Sequence, residues 1–249
     1  MGREGISSNP DSRTVRISTG HTVHLPVELE ASMLGATFAV PEAVIAEFLP
    51  DRLTPLTATP TGKAAITLLS VHYRSVDIDG MEPYDEFAVI IPAIHEQSTA
   101  VPYLSAMMNA TNGYVWFMPV TTEPARAFGV DIWGFPKVVG DITHRETGTG
   151  RETTVSIDGE QFISFEAEYP PTIQRQDDGN SYTVKDDRLL RVPSEVDAAV
   201  GLWPMSSSVS VRFGEHPKAE QLRSLDLGSR ALARLSLDGT VSFFSGEPV

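Results

Sequence analysis

Residues 64–76 read AAITLLSVHYRSV, and residues 87–94 read FAVIIPAI. The first stretch is rich in β-branched and aromatic residues, which favour extended strands. The second stretch is continuously apolar over the length of one strand, which is typical of a strand buried on both faces. The polar segment between them carries Asp79-Gly80, a pair that is common at turns. Together the two stretches predict a long hairpin.

Short strands are predicted on both sides of this hairpin. They cover residues 35–40, 113–120, 139–144, 153–157, 162–169, 181–185, 207–213, 233–236 and 240–244, with a further short strand inside 14–25. Turns are predicted at Gly148, Gly159, Gly179 and Gly239 and at the acidic pairs 177–178 and 186–187. Short strands separated by turns about ten residues apart indicate an antiparallel sandwich or barrel.

Few segments favour helices. Pro41 opens a predicted helix over residues 41–49, and Thr122 begins a second that runs to about Asp131. Residues 99–110 are predicted to form a helix or a covering loop. The polar residues 1–13 indicate a flexible N-terminal tail. Residues 14–249 are predicted to form a single mainly-β (α+β) domain.

Composition excludes several classes of protein. The 249 residues carry a formal net charge of −14, which argues against nucleic acid and against anionic membranes as partners. No apolar run is long enough for a membrane helix, and the N-terminus lacks an apolar signal core, so we expect a cytoplasmic protein. With no cysteine, disulfides and thiolate chemistry are excluded. Only four lysines offer amine chemistry.

One of these lysines lies in an unusual segment. Residues 129–138 read GVDIWGFPKV, which places Lys137 directly after Trp133, Gly134, Phe135 and Pro136. The glycine and the proline restrict the backbone, and the two aromatic residues offer apolar walls. Apolar surroundings favour the neutral, nucleophilic form of an amine. The alternative is a lysine at a strand end that extends its ammonium into solvent.

The segment resembles the signature of the acetoacetate decarboxylase-like family, which ends in Gly-Phe/Tyr-Pro-Lys-Lys. The resemblance implies that Lys137 forms a Schiff base with the substrate. Residues 83–92, PYDEFAVIIP, resemble the family's Tyr-x-Glu turn and following strand, which points to Glu86 as an active-site residue. Residues 44–50 resemble an early helix of the family. The implied fold is a single domain of antiparallel sheets that close into a cone-like β-barrel with a few short helices.

The chain departs from the family pattern at several positions. Val138 replaces the second lysine of the signature, so that it supplies an apolar contact but no charge. An acidic residue of the family falls at Thr67, and the signature's Arg-Glu pair is Val130-Asp131. The scaffold and the amine are kept, whereas the groups specific to acetoacetate are changed.

The resemblance implies a carbon–carbon lyase that acts on a small oxo acid without a metal or an organic cofactor. Lys137 would be the nucleophile and Glu86 the proton carrier. Tyr84 is a candidate for orienting substrate, and Trp133 and Phe135 are candidates for walls of the substrate site.

Three functions remain open. The first is decarboxylation of a 3-oxo acid such as acetoacetate, which is favoured when the carboxylate is unpaired in apolar surroundings. The second is an aldolase-dehydratase that uses pyruvate-type 2-oxo acids and holds the carboxylate with an arginine, for which Arg126 and Arg74 are candidates. The third is a non-catalytic binding protein on the same scaffold. The family resemblance also implies a homo-oligomer.

Overall fold

The structure, a computed structural model, describes residues 13–95 and 113–249. Its strands are β1 (Arg13–Arg16), β2 (Thr22–Leu25), β3 (Val27–Val40), β4 (Leu53–Pro55), β5 (Ala64–Val76), β6 (Tyr84–Ile91), β7 (Ala93–His95), β8 (Gly113–Val120), β9 (Lys137–Val139), β10 (Asp141–Glu146), β11 (Gly150–Ile157), β12 (Glu160–Glu168), β13 (Thr172–Lys185), β14 (Arg188–Ser206), β15 (Val209–Phe213), β16 (Ala231–Phe243) and β17 (Glu247–Pro248). Its helices are α1 (Glu42–Ala46), α2 (Glu123–Trp133) and α3 (Pro217–Arg223).

Seven long strands form a ring. They follow in the order β13, β14, β16, β3, β5, β6 and β8, and a short parallel pairing of β8 with β13 closes the circuit. The mainly-β prediction is confirmed, and the closed sheet is better described as a ring than as a cone-like barrel. The predicted hairpin is formed by β5 and β6, in which Tyr73 lies opposite Tyr84 and Val71 opposite Glu86.

Two apolar clusters lie on the two faces of this ring. Because side chains alternate along a strand, Leu69 and Val71 of β5 face the ring interior, while Leu68 faces outward. The outer cluster is covered by a four-stranded sheet in the order β10, β11, β12 and β15, and by α3. Strand β6 therefore contacts a core on both sides, as its continuous apolar sequence predicts, although Pro92 separates it from β7.

The longest strand was not predicted. Strand β14 contains Pro193, Gly201 and Pro204, residues that disfavour a strand by local propensity. It forms because β13 and β16 pair with it on its two sides. Tertiary pairing has overridden the local preference here.

Two predicted turns are wrong, because both lie inside strands. Asp177, Asp178 and Gly179 are part of β13 and pair with β14. Gly239 lies in β16, where a Cβ atom would come within 2.5 Å of the Asp197 carbonyl oxygen. Gly239 therefore permits a close approach between two strands and does not form a turn.

Other boundaries also differ from the predictions. Helix α1 is shorter than predicted at both ends: Pro41 has an extended backbone and precedes the helix, and the helix ends at Ala46 rather than at Leu49. Helix α2 continues two residues beyond Asp131, to Trp133. Arg13, placed in the predicted tail, begins β1. The rest of that tail and the segment predicted over 99–110 lie outside the described residues.

Candidate active site

The position of Lys137 is set by the end of α2. Thr122 caps the start of this helix by accepting a hydrogen bond from the Ala125 amide, and Gly134 ends it with a φ of +73°. At its carboxyl end the Lys185 ammonium donates hydrogen bonds to the carbonyl oxygens of Asp131 and Ile132. These contacts satisfy both helix ends and fix the direction in which the chain leaves α2.

The chain then enters β9, where Lys137 pairs with Met118 of β8. The aliphatic stem of Lys137 lies against Gly129, one turn before the end of α2. A Cβ atom at Gly129 would come within 2.5 Å of both Cδ and Cε of Lys137. The absent side chain at Gly129 thus makes the space through which Lys137 reaches the ring interior.

Glu86 meets the lysine inside the ring. It lies on β6 between Val71 of β5 and Val120 of β8, and its side chain faces inward. Nζ of Lys137 is 2.8 Å from Oε2 of Glu86, and both side chains are only 4% exposed. This contact is an ion pair, and by hydrogen-bond geometry Oε2 of Glu86 has no partner among the described residues. A buried ion pair of this kind holds its proton donor and acceptor in direct contact.

Two tyrosines adjoin the pair. The Tyr73 hydroxyl donates a long hydrogen bond of 3.4 Å to Oε1 of Glu86, and the Tyr84 ring lies 5.4 Å from Nζ of Lys137. Burial raises the pKa of Tyr73 well above its usual value, and the negative charge of Glu86 adds to this rise. The pKa of Tyr84 is also raised, by burial and then by Tyr73 and Glu86. Both phenols therefore remain protonated at neutral pH.

Lys137 and Glu86 face a cavity of about 60 Å³, a volume that counts only the space open to the centre of a water-sized sphere. Most of its walls are apolar. They comprise Met33, Leu69, Val71, Ala88, Ile90, Val115, Met118, Phe128, Trp133, Phe135, Val196, Val241 and Phe243, with Tyr73, Tyr84, Glu86, Lys137, Ser181 and Ser194 as the polar members. Among the described lining residues, Lys137 is the only cation.

The structure brings together five of the seven predicted site residues, since Lys137, Glu86, Tyr84, Trp133 and Phe135 all line this cavity. Trp133 is also held in place, because its indole Nε1 donates a hydrogen bond of 2.8 Å to the carbonyl oxygen of Phe244.

The two arginines do not reach the cavity. Arg126 forms a bidentate surface ion pair with Glu123, three residues earlier on α2. Arg74 binds both carboxylate oxygens of Asp238 at 2.9 and 3.0 Å, outside the ring. The arrangement therefore gives no support to a substrate-binding role for either arginine in this cavity.

Some members of the site were not predicted. Tyr73 was missed, although its position two residues from Val71 on a predicted strand could have placed it on the same face. Ser181 and Ser194 lie on β13 and β14, whose pairing the sequence does not reveal. Thr67, the expected place of a further acid, shares a 2.9 Å hydrogen bond with Thr37 and does not line the cavity.

A second polar cluster lies on the opposite face of β6. Asp85 contacts Nδ1 of His72 at 2.6 Å and Nε2 of His144 at 3.3 Å, and His144 in turn contacts Thr153. Burial by itself would raise the pKa of Asp85, but the hydrogen bonds from His144 and His72 outweigh it and hold the pKa below its usual value. This cluster links the ring to the four-stranded sheet beside the strand that carries Glu86.

The lowered pKa of Asp85 means that its ionised form stabilises the fold. We expect Asp85→Asn to reduce the free energy of unfolding by about 1–2 kcal/mol at pH 7, as typical for lost charge-assisted hydrogen bonds. The difference should begin to shrink below about pH 4, where the carboxyl of the unfolded chain binds protons, and should disappear only below the lowered pKa of the folded state. Urea titrations of both proteins from pH 7 down to about pH 2 measure this. A constant difference over that range would contradict the assignment.

The contact between Gly129 and Lys137 predicts a loss of activity in Gly129→Ala. The added methyl group displaces the lysine stem, and a shift of about 1 Å at a reacting group can cost about 100-fold in rate. Alanine adds roughly 1 kcal/mol to the helix, which offsets part of the about 1–3 kcal/mol that overpacking costs. Gly148→Ala is the matched control, because open space surrounds that position. Equal rates for the two variants, with thermal unfolding measured alongside, would refute the proposed packing role.

Comparisons with known proteins identify the family and the fold of this chain. The sequence model of the family described as "Acetoacetate decarboxylase (ADC)" matches residues 13–249. The chain belongs to the acetoacetate decarboxylase family. A search of curated proteins found no match.

Several solved structures share the fold. An acetoacetate decarboxylase from Legionella pneumophila is 14% identical, covers 100% of this chain and 97% of its own, and has a TM-score of 0.65. The enduracididine biosynthesis enzyme MppR, complexed with pyruvate, is 12% identical, covers 90% of each chain and has a TM-score of 0.64. At such identities the likeness shows the fold alone. Within the described residues, no helix has the length and apolar character needed to cross a bilayer.

Proposed function

We propose that this protein is a Schiff-base lyase that decarboxylates a 3-oxo acid, with Lys137 as the nucleophile and Glu86 as the proton carrier. The observation that carries the proposal is the 2.8 Å contact between Nζ of Lys137 and Oε2 of Glu86, buried in an apolar cavity. Membership of the acetoacetate decarboxylase family supports it.

The buried pair supports the proton transfers that lead to the iminium. Glu86 takes a proton from the Lys137 ammonium, which frees the amine to attack the ketone carbon. The attacking nitrogen gives one proton to the former carbonyl oxygen, the protonated Glu86 gives a second, and water leaves as the iminium forms. The carbon–carbon bond to the carboxylate breaks, its electron pair moves into the iminium, and carbon dioxide leaves. Protonation of the resulting enamine and hydrolysis release the ketone and restore the amine.

The lining of the cavity favours decarboxylation over aldol chemistry. An aldolase that acts on pyruvate must keep the substrate carboxylate, which arginine typically holds. No arginine of the described residues lines this cavity, and both candidate arginines are paired with acids outside it. A carboxylate placed against apolar walls is destabilised relative to neutral carbon dioxide, which favours its loss.

Product analysis tests this assignment. The protein is incubated with acetoacetate, or with pyruvate and an aldehyde, and the products are followed by proton NMR. We expect acetone to form above the uncatalysed background and no condensation product to appear with pyruvate. An unsaturated condensation product would assign the aldolase-dehydratase activity instead. Binding of both acids without turnover would indicate a binding protein.

A further inference from the structure

The catalytic cavity adjoins a second, larger chamber, which also lies inside the ring. We call it the outer chamber because its lining includes the exposed residue Ile173. Its volume is about 280 Å³, against about 60 Å³ for the catalytic cavity, and both volumes count the space open to the centre of a water-sized sphere. Met33 of β3 and Val196 of β14 line both spaces. A molecule bound at Lys137 and longer than the catalytic cavity would have to pass these two side chains to reach the outer chamber.

The catalytic cavity is the smaller of the two spaces and contains Lys137 and Glu86. The carboxylate, the methylene and the ketone are the reacting part of a 3-oxo acid, so they occupy this cavity when the ketone carbon is attached to Lys137. A long substituent beyond the ketone carbon finds more room in the outer chamber.

The walls of the outer chamber are suited to an apolar group. Val200 and Leu202 of β14 face Leu235 and Leu237 of β16, and Ile173 at the rim is 67% exposed. Such exposed aliphatic surface gains stability when a ligand covers it.

The charged groups at the rim do not favour an anionic tail. Nε and Nη2 of Arg175 already bind the carboxylate of Asp177, at 2.9 and 3.2 Å. Asp178 adds a further negative charge to the same lining. The arginine fork is thus occupied by a residue of its own strand, and the rim carries an excess of negative charge.

We propose that the substrate is a 3-oxo acid with an extended apolar chain, whose tail lies in the outer chamber against Val200, Leu202, Leu235 and Leu237. This inference rests on the proposed function, because it takes Lys137 as the point of attachment. The carboxylate then lies against the apolar walls of the catalytic cavity, and the alkyl chain extends through the outer chamber toward the rim at Ile173.

A chain-length series tests the proposal. Rates of carbon dioxide release above background are measured with acetoacetate, 3-oxohexanoate and 3-oxooctanoate. We expect kcat/KM to rise about fourfold for each added methylene that the chamber covers. Borohydride reduction of the same mixtures shows separately whether each acid forms an adduct with the protein.

Two neighbouring positions on β14 provide matched variants. Val200 faces the outer chamber, whereas Ala199 points to the other side of the strand. Val200→Phe should fill the chamber and lower the ratio of kcat/KM for 3-oxooctanoate to that for acetoacetate at least tenfold. Ala199→Phe adds the same ring and should leave this ratio unchanged.

Each outcome has one meaning. A ratio that rises with chain length and collapses only in Val200→Phe supports the proposal. Turnover that is independent of chain length, or a ratio that Val200→Phe leaves intact, overturns it while the Schiff-base function stands. No carbon dioxide release and no adduct with any of the acids would overturn the proposed function itself, and this inference with it.

Discussion

Replacement of Lys137 by arginine is expected to lower the rate of carbon dioxide release by at least about 10³-fold. The guanidinium keeps the positive charge beside Glu86 but is not nucleophilic, because it stays protonated at any accessible pH. The expected loss therefore arises from the missing covalent step and not from an unpaired carboxylate.

Stability controls are essential for this variant, since a buried ion pair is sensitive to the removal of one partner. Deleting only one charge commonly costs about 3–5 kcal/mol, whereas replacing both partners by neutral groups of similar volume is often tolerated. The double variant Lys137→Met/Glu86→Gln should therefore fold and be equally inactive. Substantial turnover in either folded variant would exclude Lys137 as the nucleophile.

Replacement of Glu86 by glutamine is expected to slow attachment of the substrate and turnover together. The amide retains the shape of the side chain but can neither accept the ammonium proton nor protonate the departing hydroxyl, so turnover should fall about 10²–10⁴-fold. Both of these proton transfers precede the iminium that borohydride reduces. Glu86→Gln should therefore lower the rate of adduct formation and the rate of carbon dioxide release in parallel.

The nearby acid Asp85 supplies the comparison for that experiment. Asp85 is on the same strand but faces the histidine cluster outside the ring, so Asp85→Asn should retain most of its activity. Equal losses in Glu86→Gln and Asp85→Asn would indicate a general disturbance of β6 rather than a proton carrier at Glu86.

The sequence predicted the centre of the fold because local signals and tertiary structure agree there. The apolar run that begins at Phe87 is buried on both faces, as its composition indicates. Strand β14 could not be predicted in this way, since its prolines and glycine oppose a strand and only pairing with β13 and β16 stabilises it.

The candidate site was predictable where residues adjacent in sequence fix the geometry. Trp133, Phe135 and Lys137 lie near one another because one helix end and one short strand place them. The sequence could not show that the two arginines lie away from this cavity. Arg74 follows Tyr73 on β5, so the inward direction of Tyr73 turns Arg74 outward, and that direction is known only from the pairing of β5 with β6.

Reductive trapping with peptide mapping tests the central claim most directly. The wild-type protein is incubated with acetoacetate, reduced with borohydride and digested, and each of the four lysines is inspected for added mass. The account predicts an isopropyl adduct on Lys137 alone, because carbon dioxide has left before reduction. An unmodified Lys137 in folded protein, or an adduct only on Lys63, Lys185 or Lys218, would contradict it.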